Sequence, residues 1–262
     1  MKTESFPVPE KSGVESGASV LKMTVWVLIF SFLAIMNEGA FATDKEGPRL
    51  VDAGVSDVFV PQGFDDNDPN IQVIVEGYFP NTCYKLAPAR VEKKEDRIKI
   101  VPQAYFYHGP CLQVMVHYAQ EIDLKSFLGP LKAGKYTLDI PSDCPETPHP
   151  ILPIAHSNNA GPDDYLYAPI ESARVISKQS PTVRLQGVFS NSCMSLDRVM
   201  VHSESNRVVA ILPIAKYENN GVCLDALKPF YKDVKIEEPL KGRTLLHIRA
   251  LNGNAVNVIE DF

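Results

Sequence analysis

Five cysteines carry most of the chemistry this sequence could do. Four fall in two similar settings: Cys83 in GYFPNTCYKL and Cys193 in GVFSNSCMSL, each followed at similar spacing by Cys111 or Cys223. In an oxidising compartment such cysteines read as disulfides, and in a reducing one as unpaired buried thiols. Cys144, in PSDCPETPHP, has no counterpart. With His108 and His149 it forms a candidate soft-metal site. A free or partner-seeking thiol, or a bridge to Cys83 or Cys111, are the other readings. No C-x-x-C or H-x-x-x-H spacing anchors the metal, so no cofactor is expected. Asp65, Asp66 and Asp68 in DDNDPN concentrate carboxylates in one loop, an oxygen density able to hold calcium. The loop lacks the spaced glycine and closing glutamate of an EF-hand, and a solvated turn is the plainer reading.

Enzyme motifs are missing from the sequence: it has no G-x-S-x-G, no phosphate-binding loop, no H-E-x-x-H and no glycine-rich dinucleotide turn. His117, His202 and His247 sit in strand-like segments and read as partly exposed strand residues rather than catalytic bases. Tyr105, Phe106 and Tyr107, with Tyr165 and Tyr167, could line a sugar- or peptide-contacting face or pack a core. A net charge of −6 offers no basic patch for phosphates, so nucleic acid is not an expected partner. The expectation is a non-enzyme.

Near the N-terminus, Val25–Met36 is an apolar run preceded by Lys22 and followed by Ala40-Phe41-Ala42, an A-x-A cleavage signature before Thr43. A membrane-spanning helix needs about 20 apolar residues, and Asn37 and Glu38 end this run early. Residues 1–42 therefore read as a signal peptide, with a retained anchor as the alternative and the only membrane contact. All five cysteines remain in the chain from 43 onward. Export to a periplasmic or extracellular compartment favours disulfides.

The two decapeptides match at five of ten positions, 110 residues apart: Gly77/Gly187, Phe79/Phe189, Asn81/Asn191, Cys83/Cys193 and Leu86/Leu196. Further on, V-P-Q-A…C answers L-P-I-A…C, and P-L-K-A-G-K-Y answers P-L-K-G-R-T, in the same order. Each copy supplies about seven short segments rich in β-branched and aromatic residues, with IQVIVEGYF read as an alternating strand. Two tandem β-sandwiches are expected, 43–156 and 168–262, joined by a linker at 157–167.

Strand polarity bears on the cysteines. Cys83 and Cys111 each begin a strand running the same way. Flanking one strand in a single sheet they would stand roughly 9.6 Å apart, beyond the roughly 7 Å Cα separation that a disulfide spans. Strands in opposite sheets bring them within reach, which predicts Cys83–Cys111 and Cys193–Cys223. Each bridge would contribute about 3.5 kcal/mol by restricting the unfolded chain. Pro102 and Pro213 interrupt the fourth strand of each copy, where a central ladder rejects proline. That strand is expected to cross between sheets at this point.

The segment L-x-A-G-x-Y-T-L-x-I at Leu131–Ile140 looks like a tyrosine corner. With G-Y-x-P-N-x-C-x-x-L and the later cysteine, it resembles immunoglobulin-like repeat modules of exported bacterial proteins. The resemblance implies an all-β chain of two immunoglobulin-like sandwiches and says little about activity. Two departures stand out: Leu138 occupies the antibody-type cysteine position, and Thr244 replaces the tyrosine in the second copy. The expected role is binding, adhesion or envelope structure, with an unknown protein or cell-envelope component as partner. The contact surface expected is the loops at the cysteine-bearing end. A loop-presenting protease inhibitor and a metal-handling protein centred on Cys144 are the alternatives.

Overall fold

The computed structural model describes residues 47–141, 149–157, 163–204, 207–218 and 222–262. The expected signal segment and Cys144 lie outside the described residues. Among the described residues, no helix is long and apolar enough to cross a membrane. Gly47–Phe262 makes one compact unit, almost entirely of strands.

Four sheets form. Sheet I holds β1 (Arg49–Asp52), β3 (Phe64–Asp65), β5 (Tyr84–Lys94), β6 (Arg97–Phe106), β8 (Gly134–Asp139) and β9 (Ile151–Ala155). Sheet II holds β2 (Asp57–Phe59), β4 (Gln72–Phe79) and β7 (Val116–Asp123). Sheet III is β12 (Met194–Glu204), β13 (Val208–Tyr217), β15 (Arg243–Ala250) and β16 (Asn254–Asp261). Sheet IV is β10 (Ile170–Ser177), β11 (Thr182–Phe189) and β14 (Lys228–Lys235). One short helix, α1 (Leu124–Leu128), is capped by the Asp123 carboxylate accepting from the Lys125 N–H.

Sheets I and II enclose one core, including Val73, Val75, Ile98, Ile100, Ile122 and Leu138. Sheets III and IV enclose another, including Val183, Leu185, Val209, Ile211, Leu246 and Ile248. Both follow from strand geometry, since alternate residues share a face. The Tyr136 hydroxyl donates to the Lys132 carbonyl at 2.9 Å, pinning the loop that opens β8. At the equivalent place in sheet III, the Thr244 hydroxyl donates to the Gly242 carbonyl.

The expected sheet-crossing of the proline-bearing strand does not occur. β6 is continuous and pairs with β5 along its length, and β13 does the same with β12. What changes at Pro102 is the neighbour on the other edge. Residues 97–99 pair in parallel with β8, and residues 103–106 pair antiparallel with β1. The Pro102 carbonyl accepts from Ala53 at this junction, as the Pro213 carbonyl accepts from Ala168. A residue lacking an N–H is tolerated where one ladder ends and another begins, with Pro102 opposite a register shift in β5 and Pro213 close beside one in β12.

A second expectation also fails. β4 does not simply alternate between core and solvent; it is buried on both faces. Val73 and Val75 enter the sheet I/II core, while Gln72, Ile74 and Glu76 face β15 and β16. There Phe59, Ile74, Val208 and Leu245 form an apolar centre with Ile259 against it. The four sheets thus stack as layers in the order I, II, III, IV. Along the contact, Gln72 meets Asn257, Ile74 meets Leu245 and Glu76 meets Arg243. Since His247 pairs with Asn257 and Arg243 with Asp261, β4 crosses β15 in the antiparallel sense.

Candidate binding surface

The residues singled out in the repeated decapeptides build a loop clamp. At Cys83 the Asn81 side-chain oxygen accepts from the cysteine N–H at 2.9 Å. The Thr82 hydroxyl accepts from the Leu112 N–H at 3.0 Å, while the Thr82 N–H donates back to the Leu112 carbonyl. At Cys193, Asn191 and Ser192 make the same bonds, the latter with Leu224. An Asx turn suits asparagine because its amide oxygen reaches the backbone two residues on. The disulfides Cys83–Cys111 and Cys193–Cys223 complete each clamp, both with Cα atoms 5.4 Å apart. Each ties an edge strand of one sheet, β5 or β12, to the loop entering β7 or β14 in the other. The bridges therefore run between sheets.

Glycine has a separate reason to be there. A Cβ on Gly77 would lie 2.1 Å from the Gly54 carbonyl oxygen, and one on Gly187 would lie 2.0 Å from that of Pro169. Next to these, Phe79 stacks on Tyr118 and Phe189 on Phe230.

The clamped loops expose apolar side chains. Leu112 is 69% exposed and Met115 70%, while Val222 is 85% and Leu227 79% exposed. Freely exposed large apolar groups on ordered loops mark contact surfaces. β4 runs toward the first clamp and β13 toward the second; β15 is parallel to β13, and β4 is antiparallel to β15. The two clamps consequently sit at opposite ends of the layered stack.

Charged groups concentrate instead between sheets II and III. Buried Glu76 accepts from Arg243 at 2.6 and 3.0 Å, and the His117 Nε2 lies 2.8 Å from the same carboxylate. That pairing holds the Arg243 guanidinium well above its ordinary range. Arg249 donates to the Asp68 carboxylate at 3.0 Å and to the Gly63 carbonyl, over the Phe64 ring. Burial raises the Asp68 carboxyl above its usual value, with Arg249 opposing the rise. Arg207 reaches Asp57, and Glu204 accepts from the Gln62 N–H.

The candidate calcium ligands lie within this belt and use their oxygens on protein donors. Asp65 accepts from the N–H groups of Asn67 and Asp68, and Asp68 from Asp65 and Arg249. Asp66 accepts from Ser157 and lies 2.8 Å from His156, which together hold its carboxyl below the usual range. Lys125 donates to the carbonyls of Asp66 and Asp68. An ammonium and a guanidinium thus supply positive charge from within the chain. Of the candidate soft-metal residues, His108 stands edge-on to Phe106, and His149 lies 4.0 Å from Asp139; Cys144 is outside the described residues.

His247 departs from the sequence expectation. It is 1% exposed, with Nδ1 2.8 Å from the Asn257 amide oxygen and Nε2 unpartnered. Burial lowers its pKa to about 4. The aromatic residues divide: Tyr105 on β6 and Tyr107 just past its end are exposed, whereas Tyr167 is buried and bridges to Ile214. Within the expected linker, Asp163 accepts from the N–H groups of Asn252 and Gly253.

Residues 73–146 match the family model of the ORF11 beta-sandwich domain. No curated protein and no solved structure matches the chain.

Proposed function

We propose that the chain is an exported, non-enzymatic binding protein, with two immunoglobulin-like sandwiches in tandem serving as a rigid spacer between two contact loops. The β-sandwich match over residues 73–146 supports the module, and the inter-sheet disulfides fit an oxidising compartment. The observation that carries the reading is the pair of disulfide-clamped apolar loops at opposite ends of one layered stack. A clamped loop loses less entropy on binding than a free one, so exposed Leu112 and Met115, or Leu224 and Leu227, can contact a protein or envelope component at low ordering cost. The tandem arrangement is supported by matching clamps, glycine contacts and aromatic stacks in the two halves.

The test is site-specific photo-crosslinking in the native host, combined with thiol mapping of the purified protein. A photoreactive residue at position 112 or 227 should give a discrete adduct in the envelope or medium fraction, and one at the exposed turn residue Glu95 should not. Without reduction, alkylation should label Cys144 alone. Equal labelling at all three crosslinking sites, or free thiols at Cys83 and Cys193, would overturn the reading.

A further inference from the structure

The open side of the sheet III/IV sandwich differs from its counterpart in sheets I and II. In the first sandwich, β5 and β7 are the facing edge strands, and that seam is closed. The Gln120 amide donates to the Ala87 carbonyl at 2.9 Å, within the β5 irregularity, and α1 lies against β5 with Leu128 on the core. Beside it Ala89 is only 5% exposed. In the second sandwich, β12 and β14 are the equivalent edges. Register places Lys232 where Gln120 stands, since Tyr118 pairs with Gly77 and Phe230 with Gly187.

No helix follows β14. Ile236 donates to the Pro181 carbonyl as Leu124 does to that of Ile71, but the next residues are Glu237-Glu238-Pro239. Pro239 falls at the fourth position of the would-be helix, where the first intrahelical N–H bond is required and proline has none. A groove of about 460 Å³ remains between Leu196–Val199 and Lys232–Lys235. Among its charged side chains runs an apolar strip: Leu196 and Val199, which pack only partly against the core, beside buried Val234.

We propose that this seam binds an extended peptide segment with alternating apolar and acidic side chains, added as a strand along the free edge of β12. A free edge offers unpaired main-chain donors and acceptors to an added strand. The apolar side chains would lie on that strip. The acidic ones are specified by charge: Asp197 already pairs with Arg198, Asp233 with Arg184 and Lys235 with Glu237, whereas Lys232 has no ion pair among the described residues. By alternation Lys232 falls on the same face of β14 as Phe230 and Val234, and it lines the groove as an exposed residue. This site is separate from the clamped loops, so either proposal can fail without the other.

The experiment is an NMR titration of the purified protein with Thr-Val-Glu-Val-Thr-Val-Glu-Val, its lysine-for-glutamate counterpart and a proline-interrupted control. Saturable shifts confined to 194–201 and 228–235, seen only with the glutamate peptide, are expected. Lys232→Glu, an exposed substitution that leaves both cores intact, should weaken the glutamate peptide by about fivefold and favour the lysine peptide. Equal response to both peptides, no saturable shift, an unchanged preference in Lys232→Glu, or peptide-free concentration-dependent shifts in β12 (a second copy occupying the edge) would each overturn the proposal.

Discussion

His247 shows how little a residue's type reveals about its surroundings. A histidine in an alternating strand was expected to be partly exposed, because the pattern tells which residues share a face but not whether that face is covered. Its covering comes from Phe64 of sheet I, edge-on to the imidazole, and from Gln72 of sheet II, which holds Asn257. Arg249 on the same strand adds to the cost of charging the imidazole. The folded pKa, about 4, lies below the ordinary 6.5, so the unfolded chain binds more protons between those values. Its contribution to stability is then complete above about pH 6.5 and is lost as pH falls toward 4, by roughly 3 kcal/mol in all. Asp68, Asp163 and Glu204 have raised folded values and act in the opposite sense, losing stability as pH rises through them. The comparison that isolates His247 is chemical denaturation of the protein and of His247→Gln between pH 5 and 6.5. The wild-type slope should be the steeper, and equal slopes would show that the imidazole is not excluded from water.

At the scale of elements, the clamp was the most legible feature. Asn81 and Asn191 each have a local task, a turn closed two residues on, whereas Thr82, Ser192 and the cysteines tie that turn to the loop before β7 or β14. The same task in both halves repeats as the same letters. Gly187 was visible as a repeated letter, but its reason was not, since the Pro169 carbonyl meets it only once β10 pairs with β11 in the register that sets Ile170 opposite Gly187. Gly187→Ala should therefore destabilise by about 2 kcal/mol, because the obstacle is backbone and cannot rotate away. A value within about 0.5 kcal/mol of wild type in guanidinium unfolding would mean the strands separate easily there. Tyr136→Phe should lose about 1 kcal/mol, the net worth of one hydrogen bond, with the core unchanged. Reading Pro102 and Pro213 as sheet crossings mistook a change of edge partner for a change of sheet. The proline signal is the same in both cases: a missing donor.

For the whole molecule, the contact between sheets II and III is decisive. It joins an apolar centre to the pairs Glu76–Arg243, Asp68–Arg249 and Arg207–Asp57. A buried carboxylate deprived of its partner is costly, so Arg243→Ala should destabilise by about 3 kcal/mol. Calorimetry should show a single transition for the wild type and two for Arg243→Ala, as the halves uncouple. Two transitions in the wild type would mean that the sheets meet too weakly to couple. The sequence by itself determined the strands and which residues share a face along each, because these depend on neighbours and on period two, and it showed the clamp because the same letters are written twice. Only the tertiary structure decided that β4 and β15 are covered on their second faces. The near-continuous burial of QVIVEG and TLLHIRA is the sequence trace of that covering. Such a run also suits any strand with two buried faces, and which surface supplies the second cover depends on Arg243, Arg249, Glu76 and Asp68 meeting across well over a hundred residues of chain.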